Sequence, residues 1–154
     1  MFNYKTWWDK NKEWTSELPK NEFAECVCAT SAWVAVATTE RFVRIFTIGG
    51  AQLHLVSIPG PVVTISSNQE QLFYTYHRAQ GFEGSQLLSC GILSMEKTEA
   101  RSIPSQVALS PNSKLIWAGF TDEGTPATYD SDGIVRIGAN YWTEPVYEKM
   151  CRFL

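Results

Sequence analysis

Apolar positions in this chain recur in short runs. No long segment repeats them at the three- and four-residue spacing of an amphipathic helix. Runs of four to eight residues rich in Val, Ile, Thr and aromatic side chains are bounded instead by Gly, Pro, Asn, Asp and Ser. That pattern predicts strands. The clearest are 33–38 (WVAVAT), 42–47 (FVRIFT), 52–58 (QLHLVSI), 62–66 (VVTIS), 72–77 (LFYTYH), 86–93 (QLLSCGIL), 115–121 (LIWAGFT) and 134–137 (IVRI). Asp130-Ser131-Asp132-Gly133 and Gly49-Gly50 read as hairpin turns. Glycine takes positive φ without penalty, and an aspartate bonds its own backbone.

The strands repeat. An aliphatic-Pro pair closes three of them, at Leu18-Pro19, Ile58-Pro59 and Ile103-Pro104, with steps of 59 − 19 = 40 and 104 − 59 = 45. Val-Arg-Ile occurs at 43–45 and again at 135–137, a separation of 136 − 44 = 92, or two steps of 46. A four-stranded unit of about 40–45 residues is the period of a propeller blade. The predicted fold is therefore all-β, a partial β-propeller of about three to three and a half four-stranded antiparallel blades. The blades fall at residues 2–18 (partial), 24–58, 62–103 and 114–146, the last two with fourth strands at 98–103 and 141–146. An alternative register makes 106–121 the first hairpin of the third blade. Three and a half blades do not close a ring, since each must pack between two others. The chain is expected to be a fragment or truncated product, or to have its open faces covered by an identical partner. Alone it should be poorly soluble, because open faces and strand edges aggregate.

Composition agrees with a packed β domain. Of 154 residues, 44% are hydrophobic and 13% aromatic, with six tryptophans to cover. Net charge is −3, and the lysines and arginines are scattered among acids. Without a basic stripe, this segment is not expected to bind nucleic acid directly. No apolar run reaches the ~18 residues of a membrane span. The start, MFNYKTWWDKNKEW, is too polar for a signal peptide, so an intracellular protein is expected. Cys26, Cys28, Cys90 and Cys151 lack a second pair at zinc spacing. They read as buried reduced thiols, with Cys26 and Cys28 on one strand face.

The residues that most resemble an active site are in YHRAQGFEGSQ, 76–86, which holds His77, Arg78 and Glu83 between glycines. A hydrolase using His77 with Glu83 or a nearby serine is one reading. No G-x-S-x-G elbow, Walker loop or G-x-G-x-x-G supports it. The Asp130–Gly133 turn lacks the third ligand and the late glutamate of a calcium loop. No catalytic, metal or cofactor site is predicted. Asp122, Glu123, Asp130 and Asp132 are expected at solvated turn tips. The stretch is better read as a strand ending at His77 and an enlarged loop over 79–84. Phe82 should tuck that loop against the blade. His77, Arg78, Phe82 and Glu83 are then candidates for contact with another protein. Arg44 and Arg136 sit mid-strand at equivalent repeat positions. They read as stems that cover the blade surface or, less favoured, as partner contacts.

Several motifs in order also resemble a known family. RIFTIGGAQ (44–52), GPVV (60–63), EQLF (70–73), YHRAQGFEGSQ (76–86) and IWAGFTDEGTPATYDSDGIVRI (116–137) resemble the replisome adaptor family of chromosome transmission fidelity proteins. Its animal members are the acidic nucleoplasmic, or WD-repeat and HMG-box, DNA-binding proteins. The resemblance lies in their central SepB-type propeller, over about residues 12–146. It implies a non-enzymatic nuclear hub that links the replicative helicase assembly to DNA polymerase alpha. Roles in DNA replication and sister-chromatid cohesion follow, and the full-length family protein forms a homotrimer. The family's peptide-binding helical bundle has no counterpart here, so that site is carried over to no residue. The rival reading is an unrelated WD-type protein-interaction module.

Overall fold

The computed structural model of the chain describes residues 2–4, 13–95, 104–138 and 151–152. These residues form strands and turns, with no helix among them, so none is long and apolar enough to cross a membrane. A two-stranded sheet pairs β1 (Phe2–Tyr4) with β2 (Trp14–Ser16). Three antiparallel four-stranded sheets follow. The first runs β3 (Ala24–Ala29), β4 (Trp33–Thr38), β5 (Phe42–Thr47), β6 (Gln52–Ser57). The second runs β7 (Val62–Ser67), β8 (Gln71–Phe82), β9 (Ser85–Ser94), β10 (Ser105–Gln106). The third runs β11 (Leu115–Phe120), β12 (Pro126–Asp130), β13 (Ile134–Ile137), β14 (Cys151–Arg152). This is a partial β-propeller: successive meanders stack face to face, and their first strands β3, β7 and β11 lie side by side.

The stacking follows from the strand pattern. β4 is buried at every position, as are Leu72 to Tyr76 of β8. A strand covered on both faces has no solvent side to alternate toward, which is why WVAVAT and LFYTY read as unbroken apolar runs. Sheets one and two meet through Ala35, Ala37, Val43 and Ile45 against Ile65, Leu72, Tyr74, Tyr76 and Leu93. Sheets two and three meet through Phe73, Leu88 and Cys90, with Val107 just after β10 beside them, against Ala118 of β11. Cys26 and Cys28 both face the first of these layers, as two thiols i and i+2 on a strand must. On the far face of sheet one, Val34, Val36 and Phe46 take Trp14 and Ile48 as cover. The Trp14 ring lies 5.7 Å from that of Phe46, and its Nε1 donates to the Ile48 carbonyl at 2.8 Å.

The strand limits correct two readings. Ser105–Gln106 pairs with β9, so it closes the second sheet and does not open a hairpin with β11. β8 does not stop at His77 but runs on to Phe82, and only Glu83 and Gly84 make the turn. Both have positive φ, 50° and 84°. That pair of left-handed residues is the two-residue turn whose twist matches paired strands. The expected fourth strands at 98–103 and 141–146 lie outside the described residues.

Replacing Phe73, fully buried between sheets two and three, by alanine should cost about 3–5 kcal/mol, the usual range for an aromatic cavity. Urea denaturation of the full chain measures it. Replacing Phe82, which is 70% exposed, should shift the same midpoint by less than about 0.5 kcal/mol.

Candidate functional site

The extension of β8 and β9 makes YHRAQGFEGSQ a projecting hairpin. Its root is held tightly. The His77 N–H donates to the Pro61 carbonyl at 2.9 Å, and Gly60 passes so close that a Cβ there would run into the His77 carbonyl. Its far strand is tied to the connector before β11 and to the first residue of β11. The Asn112 N–H donates to Ser85 Oγ at 3.1 Å, and the Leu115 N–H to Gln86 Oε1 at 2.7 Å. Register shifts between His77 and Ala79, and between Ala79 and Phe82, bend the arm. Gly81 lies against the Ser85 carbonyl with no room for a side chain.

Residues 78–84 are all exposed. Phe82 does not tuck against the blade, because the paired strands hold it at the tip. Leu87, 37% exposed, adds a second apolar contact on the returning strand. His77 and Glu83 stand six residues apart along the arm, on the order of 15–20 Å at strand rise. They cannot share a proton across that distance. The arm is built to present side chains outward.

Arg44 and Arg136 are placed differently. Arg44 makes a two-pronged pair with Glu22, Nε to Oε1 at 2.8 Å and the terminal nitrogen to Oε2 at 2.7 Å. It also donates to Gln52 Oε1 at 3.1 Å, and its guanidinium lies 5.8 Å from the Phe42 ring centre. Arg136 pairs with Asp130 at 2.6 Å and donates to Ser110 Oγ at 2.9 Å. Asp130 is not a solvated turn acid. It is 1% exposed and accepts hydrogen bonds from the Ser110 hydroxyl and N–H and from the Asp132 and Ile134 N–H groups.

The two arginines perform one task. Arg44 holds Glu22, on the connector leading into β3, and Arg136 holds Ser110, on the connector leading into β11. Each ties the incoming chain to the third strand of its own sheet. Asp130 lies 130 − 38 = 92 residues after Thr38, the same offset that separates the arginines. In sheet three the carboxylate stands at the end of the second strand. In sheet one that position is threonine, and the carboxylate comes from the connector. Sequence reasoning found the arginines through their repeat but missed both acids. Glu22 has no repeat signal, and Asp130 looked like an ordinary turn residue.

The electrostatics follow. Burial alone would raise the Asp130 carboxyl, but hydrogen bonds from Arg136 and Ser110 outweigh it and hold the group well below the usual carboxylate range. The Arg44 guanidinium lowers Glu22 in the same way. Burial pushes the Cys28 thiol up to about 11 and Cys90 to about 12, so both stay protonated and unreactive at neutral pH. Among the described residues, no three His, Cys, Asp or Glu side chains are grouped so as to hold a metal ion.

Asp130→Ala leaves Arg136 buried opposite an empty site and should cost roughly 3–5 kcal/mol. Because the folded-state acids are depressed, their contribution is complete above the unfolded carboxylate range of about 4. It is lost as pH falls from there toward the folded values. Asp130→Asn should thus be less stable than the parent at pH 7, with the difference shrinking at pH 3. Urea midpoints at the two pH values report this.

Comparison with known proteins places these features. The family described as Minichromosome loss protein, Mcl1, middle region, matches residues 1–149. WD repeat and HMG-box DNA-binding protein 1 of Homo sapiens is 43% identical over 141 residues, covering 88% of this chain. Its Xenopus laevis counterpart is 44% identical over 131 residues, covering 84%. Minichromosome loss protein 1 of Schizosaccharomyces pombe is 29% identical over 140 residues, covering 90%. The chain spans only 12% of the length of the first two and 17% of the third. The first two of these relatives are named for a WD repeat and an HMG box. The crystal structure of HIRA has the same fold, with a TM-score of 0.57 at 18% identity, over 82% of this chain and 39% of that one. On the family match and these relatives together, the chain belongs to the Mcl1 middle-region family.

Proposed function

We propose that this chain is a propeller segment of a nuclear replisome scaffold, and that it acts through protein contacts without catalysing a reaction. In this reading the parent protein links the replicative helicase assembly to DNA polymerase alpha and supports DNA replication and sister-chromatid cohesion. The observation that carries it is the family match over residues 1–149, joined to a β-propeller fold. The names of the relatives, minichromosome loss and WD-repeat DNA-binding proteins, support a chromosomal setting. The sheets beginning at 24, 62 and 115 serve as its blades.

Within the segment, the contact element is the hairpin carrying His77, Arg78, Phe82 and Glu83. A rigid arm with an exposed aromatic loses little entropy on docking, and aromatic anchors dominate interface energies. Arg44 and Arg136 hold the connectors that lead into their blades and present no free guanidinium to a partner.

Affinity purification of the full-length parent from dividing cells tests the reading. Helicase and polymerase subunits should be recovered. Phe82→Ala should reduce recovery of at least one of them several-fold without changing the denaturation midpoint. Recovery of neither set of subunits overturns the scaffold role. Full recovery with Phe82→Ala overturns only the part given to the hairpin.

A further inference from the structure

The two ends of the four-stranded sheets differ in charge. One end gathers the connectors into β3, β7 and β11 and the turns β4–β5, β8–β9 and β12–β13. Hydrogen bonds run along this rim. The Thr39 N–H donates to the Phe23 carbonyl, Ile58 N–H to Arg41, His77 N–H to Pro61 and Ser131 N–H to Lys114. Lys20, Arg41, Arg78 and Lys114 are exposed on it. Unlike Arg44 and Arg136, these four have no ion-pair partner among the described residues. The turns at the other end, 30–32, 48–51, 68–70 and 121–125, carry Glu70, Asp122 and Glu123 and no lysine or arginine. The rim with the cations also carries Phe82, 70% exposed, and Phe23, 66% exposed. They are the two most exposed large apolar side chains among the described residues.

Arg41 marks the rim in a second way. Its N–H donates to the Thr38 carbonyl at 3.0 Å, as that of Gly133 does to the Asp130 carbonyl at 3.0 Å. The two close the same turn, 133 − 41 = 92 residues apart. φ is 61° at Arg41 and 81° at Gly133. Glycine adopts such a φ freely, whereas a side chain is crowded there. An exposed, unpaired guanidinium stands where the turn prefers glycine, and an outlier of this kind points to a use outside the fold.

We propose that this rim docks an acidic protein segment that carries apolar side chains between its acids. The four cations steer and orient such a segment, and the two phenylalanines give its apolar side chains anchors. Charge decides against nucleic acid as the occupant. Glu40, Glu83 and Asp132 stand among the cations on the same rim. A DNA duplex carries a charge every ~1.7 Å, so it would press phosphates against these carboxylates. A peptide can space its acids to meet the cations and miss the carboxylates. The proposal rests on the reading of the hairpin as a protein contact, and not on which proteins the parent links. Failure to recover replisome subunits leaves the test below unaffected, and failure of that test leaves the scaffold role standing.

Selection of random peptides of about twelve residues, roughly 40 Å when extended, on the immobilised full chain tests it. Enriched peptides should carry net negative charge and at least one aliphatic or aromatic residue. A synthetic copy of the commonest one is then titrated by fluorescence anisotropy. Arg41→Glu with Arg78→Glu should weaken its binding by about tenfold or more, and Phe23→Ser with Phe82→Ser by about fivefold. Affinity should also fall as salt rises from about 0.05 to 0.5 M, because the screening length shortens. Arg41→Gly removes a charge and gives the turn its preferred residue, so affinity should drop about threefold with no fall in the urea midpoint. That variant decides the matter if the double glutamate does not fold. Asp122→Asn with Glu123→Gln, at the other end, should leave binding unchanged. No enrichment, enrichment without an acidic bias, or binding that survives the loss of the arginines overturns the proposal. So does a DNA oligonucleotide of equal net charge that binds as tightly as the peptide.

Discussion

The described structure depends on burying the second sheet on both faces. Leu72 and Phe73 are neighbours in sequence and both are fully buried, yet they belong to different layers. Leu72 packs toward sheet one and Phe73 toward sheet three, because successive strand side chains point to opposite faces. Each face of β8 is thus half of a different interface. Neither interface forms unless the neighbouring sheet is present, which is the nearest-neighbour logic of stacked repeats. Sheet one has this support on one side and leans on Trp14 for part of the other.

Four charged side chains are turned inward, Glu22, Arg44, Asp130 and Arg136. Two arginines at the same point of the repeat neutralise buried carboxylates, and through them fasten the connectors that feed β3 and β11. A buried ion pair adds little net stability over an apolar substitute, but removing one partner is costly. Their value here is geometric. The planar guanidinium donates in only a few directions, so each connector has one place to lie, and the next sheet starts from a defined position.

The hairpin at 76–86 shows where reading the chain was sound and where it was not. Its glycines marked a turn, and Gly84 and Glu83 do make one. The extent of pairing was not legible, because polar residues such as Arg78 and Gln80 look like loop whether or not the backbone is laddered. They stay in strand because β9 runs beside them, with the register shifts absorbing the mismatch. Phe82 was expected to pack inward as aromatics commonly do. At the tip of the arm, paired with Ser85, it is 70% exposed.

The sequence by itself determined the strand class, the repeat period, the common face of Cys26 and Cys28, and the equivalence of Arg44 with Arg136. All of these are local or periodic properties, set by side-chain alternation and by turn residues. Tertiary structure alone decided that Asp130 is buried, that Glu22 reaches Arg44 and that residues 78–84 of the hairpin are exposed. Each of these depends on which surface meets which across tens of residues. Burial and ion pairing are properties of that meeting, and no pattern along the chain encodes them.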